Sequence, residues 1–150
     1  MRKSINPLEV SKTKGAFSQV LKVGDFVYIS GQVGVDNDLK VEEGLNSQVE
    51  KIFERVKRLL KELNMHINQV VKVTVYLKSG EDQENFDKLY ASHFKHPFPA
   101  RSVVFVDKLS KEDALVEMAF DAIDLSAYEA MQGCEEDGCD GCSDTDCDFS

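Results

Sequence analysis

Between Ser47 and Leu63, apolar residues recur at spacings of three and four, at Val49, Ile52, Phe53, Val56, Leu59, Leu60 and Leu63, with Glu54, Arg55, Lys57, Arg58 and Lys61 between them. That period gathers the apolar side chains into one stripe and predicts an amphipathic helix. Ser47-Gln48-Val49-Glu50 reads as its capping box and Asn64 as its stop. The period then changes. From Val70 to Lys78, Val71, Val73, Val75 and Leu77 alternate with Lys72, Thr74 and Tyr76, which predicts a strand with one apolar face. A second helix is predicted over Asp82 to Phe94, where Phe86, Leu89, Tyr90 and Phe94 share a stripe before Pro97 and Pro99 stop it. Arg101 to Val106 and Ala114 to Ile123 read as two further strands. Phe17 to Val23 and Phe26 to Val33 read as a hairpin turning at Val23-Gly24-Asp25.

This order of elements predicts an α+β domain, a mixed sheet with two helices on one face. The opposite face is then uncovered, and if it carries branched residues, self-association is the economical remedy. The 150 residues suit one domain. Their net charge of -9 argues against binding nucleic acid or an anionic membrane through electrostatics. The average conceals two parts. From Cys134 to Ser150 there are seven acidic residues and no Lys or Arg, which leaves 20 acids against 18 bases in the rest. Residues 1–130 are therefore a nearly neutral domain, and 131–150 an acidic tail that holds every cysteine. No stretch is long and apolar enough to span a membrane, and Met1 to Glu9 has no signal-like apolar run, so a cytoplasmic protein is expected.

Three segments are hard to explain by packing alone: Gly15-Ala16-Phe17-Ser18-Gln19 followed by Ser30-Gly31-Gln32, then Pro99-Ala100-Arg101-Ser102, then Val116-Glu117-Met118. An arginine starting an apolar strand is either half of a structural ion pair or a clamp for a carboxylate or phosphate. Glu117, mid-strand and facing opposite to its neighbours, is either solvated at an edge or held in a cleft as a proton acceptor. Lys51 to Lys61 holds five basic residues, expected on a solvated helix face with Glu54 and Glu62. The three histidines are dispersed and take no role.

The lines GAFSQVLKVGDFVYISGQVGVD, VVKVTVYLKSGEDQENFDKLYASHF, FPARSVVFV and ALVEMAFDAID resemble, in order and spacing, the RidA (YjgF/YER) family over about residues 4 to 124. The resemblance implies a chorismate-mutase-like fold and a homotrimer with ligand clefts between subunits. It also implies cofactor-free hydrolysis of reactive 2-imino acids to 2-oxo acids and ammonia. Arg101 would hold the substrate carboxylate and Glu117 would orient or activate the attacking water. Phe17, Ser30, Gly31, Asp87 and Val103 would line the cleft. The alternative is a non-catalytic trimer binding another small metabolite there. Three positions depart from the family pattern: Phe17 stands for tyrosine, Asp87 for asparagine, and Val103 for a frequent cysteine. Asp87 is the serious one, because pairing with Arg101 in a buried contact would weaken the clamp, whereas Asp87 turned away would leave it intact. The family's endoribonuclease label finds no basic stripe with interleaved aromatics in this chain.

In the tail, Cys134, Cys139, Cys142 and Cys147 follow the spacing C-x4-C-x2-C-x4-C, three of them preceded by glycine. Four thiolates so spaced could hold zinc. The surrounding carboxylates raise thiol pKa values and oppose a tight site, so a redox-active tail and a disordered acidic extension stay open beside it.

Overall fold

A computed structural model describes residues 1–6 and 15–129, so the four tail cysteines and the proposed boundary at 130 lie outside the described residues. The elements are β1 (Arg2–Ile5), β2 (Val20–Val23), β3 (Phe26–Val33), α1 (Leu45–Lys61), a short 3-10 turn (Ile67–Gln69), β4 (Val70–Lys78), α2 (Gln83–Ala91), β5 (Ala100–Val106) and β6 (Val116–Ile123). They build a six-stranded sheet in the order β1-β2-β3-β6-β4-β5. Only β4 and β5 run parallel, and α2 supplies the crossover between them. The α+β mixed sheet expected from the periodicities is the observed fold.

The core lies between α1 and one face of the sheet. Val49, Ile52, Phe53, Val56, Leu59 and Leu60 of α1 meet Val73, Val75 and Leu77 of β4 and Val116, Met118 and Phe120 of β6, all fully buried. From α2, Phe86 and Tyr90 complete it, and the ring of Phe53 packs edge-on to Tyr90, Phe94 and Phe120. On the other face Phe26, Tyr28, Tyr76 and Val104 are exposed in the protomer. The uncovered face expected from the layer arrangement is present, and it carries three aromatic residues and the branched Val104.

Several local expectations need correction. Helix α1 begins at Leu45 with Gly44 as its N-cap, at φ +81°, and no side chain caps it; Ser47 lies inside the first turn rather than at the cap. The Val71 side chain is 43% exposed because the β4–β6 register shifts between Val70 and Lys72, and Val70 takes the buried place. Helix α2 ends at Ala91, short of Phe94, and is capped at its start by Asp82, whose carboxylate accepts the Asn85 amide proton at 3.0 Å. Strand β1 is additional. Its residues Arg2-Lys3-Ser4-Ile5 form a polar edge with no apolar face to announce it.

Candidate functional site

The singled-out residues fall into two groups, which the sheet holds apart. Arg101 pairs in register with Val73, and Glu117 pairs with Tyr76. Val73 and Tyr76 are three apart on β4, so the two side chains leave opposite faces of the sheet. Arg101 projects on the helix side at the β5 edge. Glu117, on the open side, is the second residue of β6 rather than mid-strand. One protomer therefore cannot bring them onto one ligand.

Around Arg101, a cavity of about 370 Å3 is lined by Asp87, Tyr90, Ala91, Phe98 and Pro99. The guanidinium carbon stands 4.8 Å from the centre of the Tyr90 ring and 5.9 Å from that of Phe86, a cation over two aromatic faces. Arg101 Nη1 lies 2.8 Å from Asp87 Oδ1. The pair that the sequence made decisive is thus formed, but it is open to solvent, with the side chains 26% and 41% exposed. It is a charge contact more than an aligned hydrogen bond: Asp87 Oδ1 is buried without a well-directed donor, and the Tyr90 hydroxyl is buried without a hydrogen-bond partner. Burial pushes the Tyr90 pKa up to about 12, against the lowering effect of Arg101. Val103 is on the same face as Arg101, packed against the core beside Val75.

Around Glu117, a second cavity of about 280 Å3 is lined by Phe17, Gly31, Gln32, Arg55 and Lys111 among others. This volume falls just below the ~300–1,000 Å3 usual for small-molecule sites. The β3–β6 ladder is irregular between Ile29 and Gln32, and Gly31 lies in that break. A Cβ on Gly31 would meet the end of the Glu117 side chain, so an alanine there would have to displace the carboxylate. Desolvation raises the Glu117 pKa above its ordinary 4.5. Phe17 is 55% exposed at this cavity. Ser30 has a supporting place, its hydroxyl donating to the Ser18 carbonyl at 2.6 Å and its amide to the Gln19 carbonyl at 3.0 Å, which ties the Phe17 segment to β3.

The sequence reading missed Arg55. It was expected on the solvated face of α1, yet it is partly buried and lines the Glu117 cavity. A signal was available: Arg55 follows Ile52 by three and precedes Leu59 by four, which puts it beside the apolar stripe rather than opposite it.

Among the described residues, no group of three or more His, Cys, Asp or Glu could hold a metal ion. Nor is any helix among them long and apolar enough to cross a membrane.

Residues 9–124 match the family model described as Endoribonuclease L-PSP. A RutC family protein of Pyrococcus abyssi is 38% identical over 109 residues, covering 71% of this chain and 85% of that protein. The mitochondrial protein MMF1 of Saccharomyces cerevisiae is 35% identical over 116 residues, covering 73% of this chain and 80% of its own. Among solved structures, RidA from the Antarctic bacterium Psychrobacter sp. PAMC 21119 superposes with a TM-score of 0.75 at 31% identity, over 81% of this chain and 98% of that one. Fold, motifs and kinship agree, and the chain belongs to the RidA family, the family of the Endoribonuclease L-PSP model.

Proposed function

We propose that the protein hydrolyses 2-imino acids to 2-oxo acids and ammonia in clefts between the subunits of a homotrimer, with Arg101 from one subunit and Glu117 from its neighbour. The observation that carries this reading is the desolvated Glu117 carboxylate packed against Gly31, in a cavity that Phe17, Arg55 and Lys111 also line. A carboxylate with a raised pKa is a better base than one in water. A protonated imine is already electrophilic, so the site has mainly to hold it and present water, and the reaction draws on no cofactor.

Arg101 binds the substrate carboxylate. Water attacks the imine carbon while Glu117 takes its proton, giving a tetrahedral carbinolamine. The proton passes to nitrogen, the C–N bond breaks, and ammonia leaves as the carbonyl forms. The nearly neutral, slightly acidic body and the absence of a basic aromatic stripe favour this small-molecule substrate over RNA.

The test is to release 2-aminoacrylate from serine with a dehydratase and to follow pyruvate formation. Wild type should accelerate it. Glu117→Gln should lower kcat by roughly 100-fold or more, and Arg101→Ala should lower kcat/KM at least about tenfold. The rate should fall as pH drops through the raised pKa of Glu117. The contact at 2.8 Å between Asp87 and Arg101 favours a second reading, a non-catalytic trimer in which the arginine is already occupied. Asp87→Asn discriminates. On the enzyme reading, freeing the guanidinium raises kcat/KM; with no acceleration from wild type or from this variant, the binding-protein reading takes its place.

A further inference from the structure

The basic residues of α1 mostly find partners. Lys51 Nζ lies 2.9 Å from Glu54, Arg58 Nη2 lies 3.3 Å from Glu54, and Lys57 Nζ lies 3.1 Å from the His93 ring. Arg55 differs, since among the described residues no carboxylate lies within ion-pair distance of it. Its polar contact is from Nε, which donates to Gln32 Oε1 at 3.4 Å. Gln32 is fixed in turn: its amide nitrogen donates to Gln19 Oε1 at 3.0 Å and to the Ser30 carbonyl at 2.9 Å. Both glutamines are buried, so a chain of amide hydrogen bonds meets Arg55 at Nε, and Arg55 itself lines the cavity.

A partly desolvated guanidinium that makes no close ion pair is costly, and an arriving anion relieves that cost. Burial lowers the Arg55 pKa, with Arg58 adding to the effect and the neighbouring Glu54 opposing it. Among the described charged residues lining this cavity, Arg55 and Lys111 are basic and Glu117 is acidic. A substrate with one carboxylate, held by Arg101 of the neighbouring subunit, would leave Arg55 bare beside the reacting carbon. A substrate with two would satisfy both arginines.

We propose that Arg55 is the second anion-binding residue of the cleft and that the preferred substrate is a 2-imino dicarboxylic acid, whose distal carboxylate Arg55 receives. This rests on the imine-hydrolase reading and narrows its substrate class.

The test has a binding arm and a catalytic arm. In the first, wild type, Arg55→Gln and Arg55→Lys are titrated calorimetrically with 2-oxoglutarate, a stable dicarboxylic product analogue, and with 2-oxobutanoate, its monocarboxylic counterpart. Wild type should bind the diacid at least about tenfold more tightly, as expected of one charge-assisted contact. Arg55→Gln should bring that ratio near one, and Arg55→Lys should keep part of it. In the second, the imines of glutamate and 2-aminobutanoate are generated by an amino-acid oxidase, and their hydrolysis is followed as lost semicarbazide trapping; the diacid imine should have the higher kcat/KM. Diacid preference in binding without hydrolysis of either imine would sustain the Arg55 assignment and overturn the hydrolase. Hydrolysis with no diacid preference would overturn the assignment and leave the hydrolase standing. Failure of both arms overturns both, and the wild-type ratio decides the assignment even if a variant fails to fold.

Discussion

Glu117 occupies a position that opposes its own charge. It is partly buried, no ion pair with it is found among the described residues, and desolvation alone raises its pKa. The unfolded chain titrates near the ordinary 4.5 and the folded chain higher. Below the lower value both states are protonated; above the higher one the native state carries a poorly solvated carboxylate. The contribution of Glu117 to stability is therefore most favourable below pH 4.5 and is lost as pH rises through the folded pKa. Glu117→Gln, which keeps the shape without the charge, should melt at a higher temperature than wild type at pH 7, with the difference shrinking toward pH 4. A gain of equal size at both pH values would assign it to packing instead of charge. The alternation around Val116 and Met118 made the facing of Glu117 legible in the sequence. Its confinement by Gly31 was not, because that depends on a break in the β3–β6 ladder that no local pattern marks.

The start of α1 illustrates the same division among elements. The hydrophobic period located the helix, but the capping box put its first turn in the wrong place. Here the close approach of Gly34 is decisive: a Cβ there would clash with the Gln48 backbone, so the chain just past β3 and the helix backbone meet with nothing between them. Gln48 uses that proximity. Its amide nitrogen donates to the carbonyls of Glu42 and Asp113 at 3.0 and 3.1 Å, and its oxygen accepts the Leu115 amide proton at 2.7 Å. One buried side chain thereby fastens the entry to α1 onto the loop that leads to Glu117. Gln48→Leu would orphan three backbone groups, and urea unfolding should register a loss of roughly 3 kcal/mol. Ser47→Ala, at the position that the sequence pattern favoured as the cap, should change stability by less than about 0.5 kcal/mol. The reverse order would restore the capping box. Strand β1 escaped for a related reason: it depends on a partner distant in sequence, β2.

The whole molecule inherits from its sheet a requirement that no single chain can meet. Arg101 and Glu117 leave opposite faces, so catalysis by the pair demands two copies. The exposed Phe26, Tyr28, Tyr76 and Val104 provide a reason for copies to associate, since they put apolar side chains in water on the face that also bears Glu117. A shared-site trimer makes a quantitative prediction. On that reading, Arg101→Ala and Glu117→Gln should each be strongly impaired alone, one lacking the clamp and the other the base. When equal amounts are unfolded and refolded together, subunits assort at random. A cleft is whole where a chain with native Arg101 precedes a chain with native Glu117, which is about one cleft in four. The mixture should therefore recover roughly a quarter of wild-type activity, while each variant refolded alone recovers almost none. If both residues acted within one chain, or if either were dispensable, mixing would give only the average of the two separate rates. Light scattering on the same samples fixes the subunit number, and Val104→Glu, which puts a charge on the apolar face, should give monomers that have lost activity although Arg101 and Glu117 are both intact.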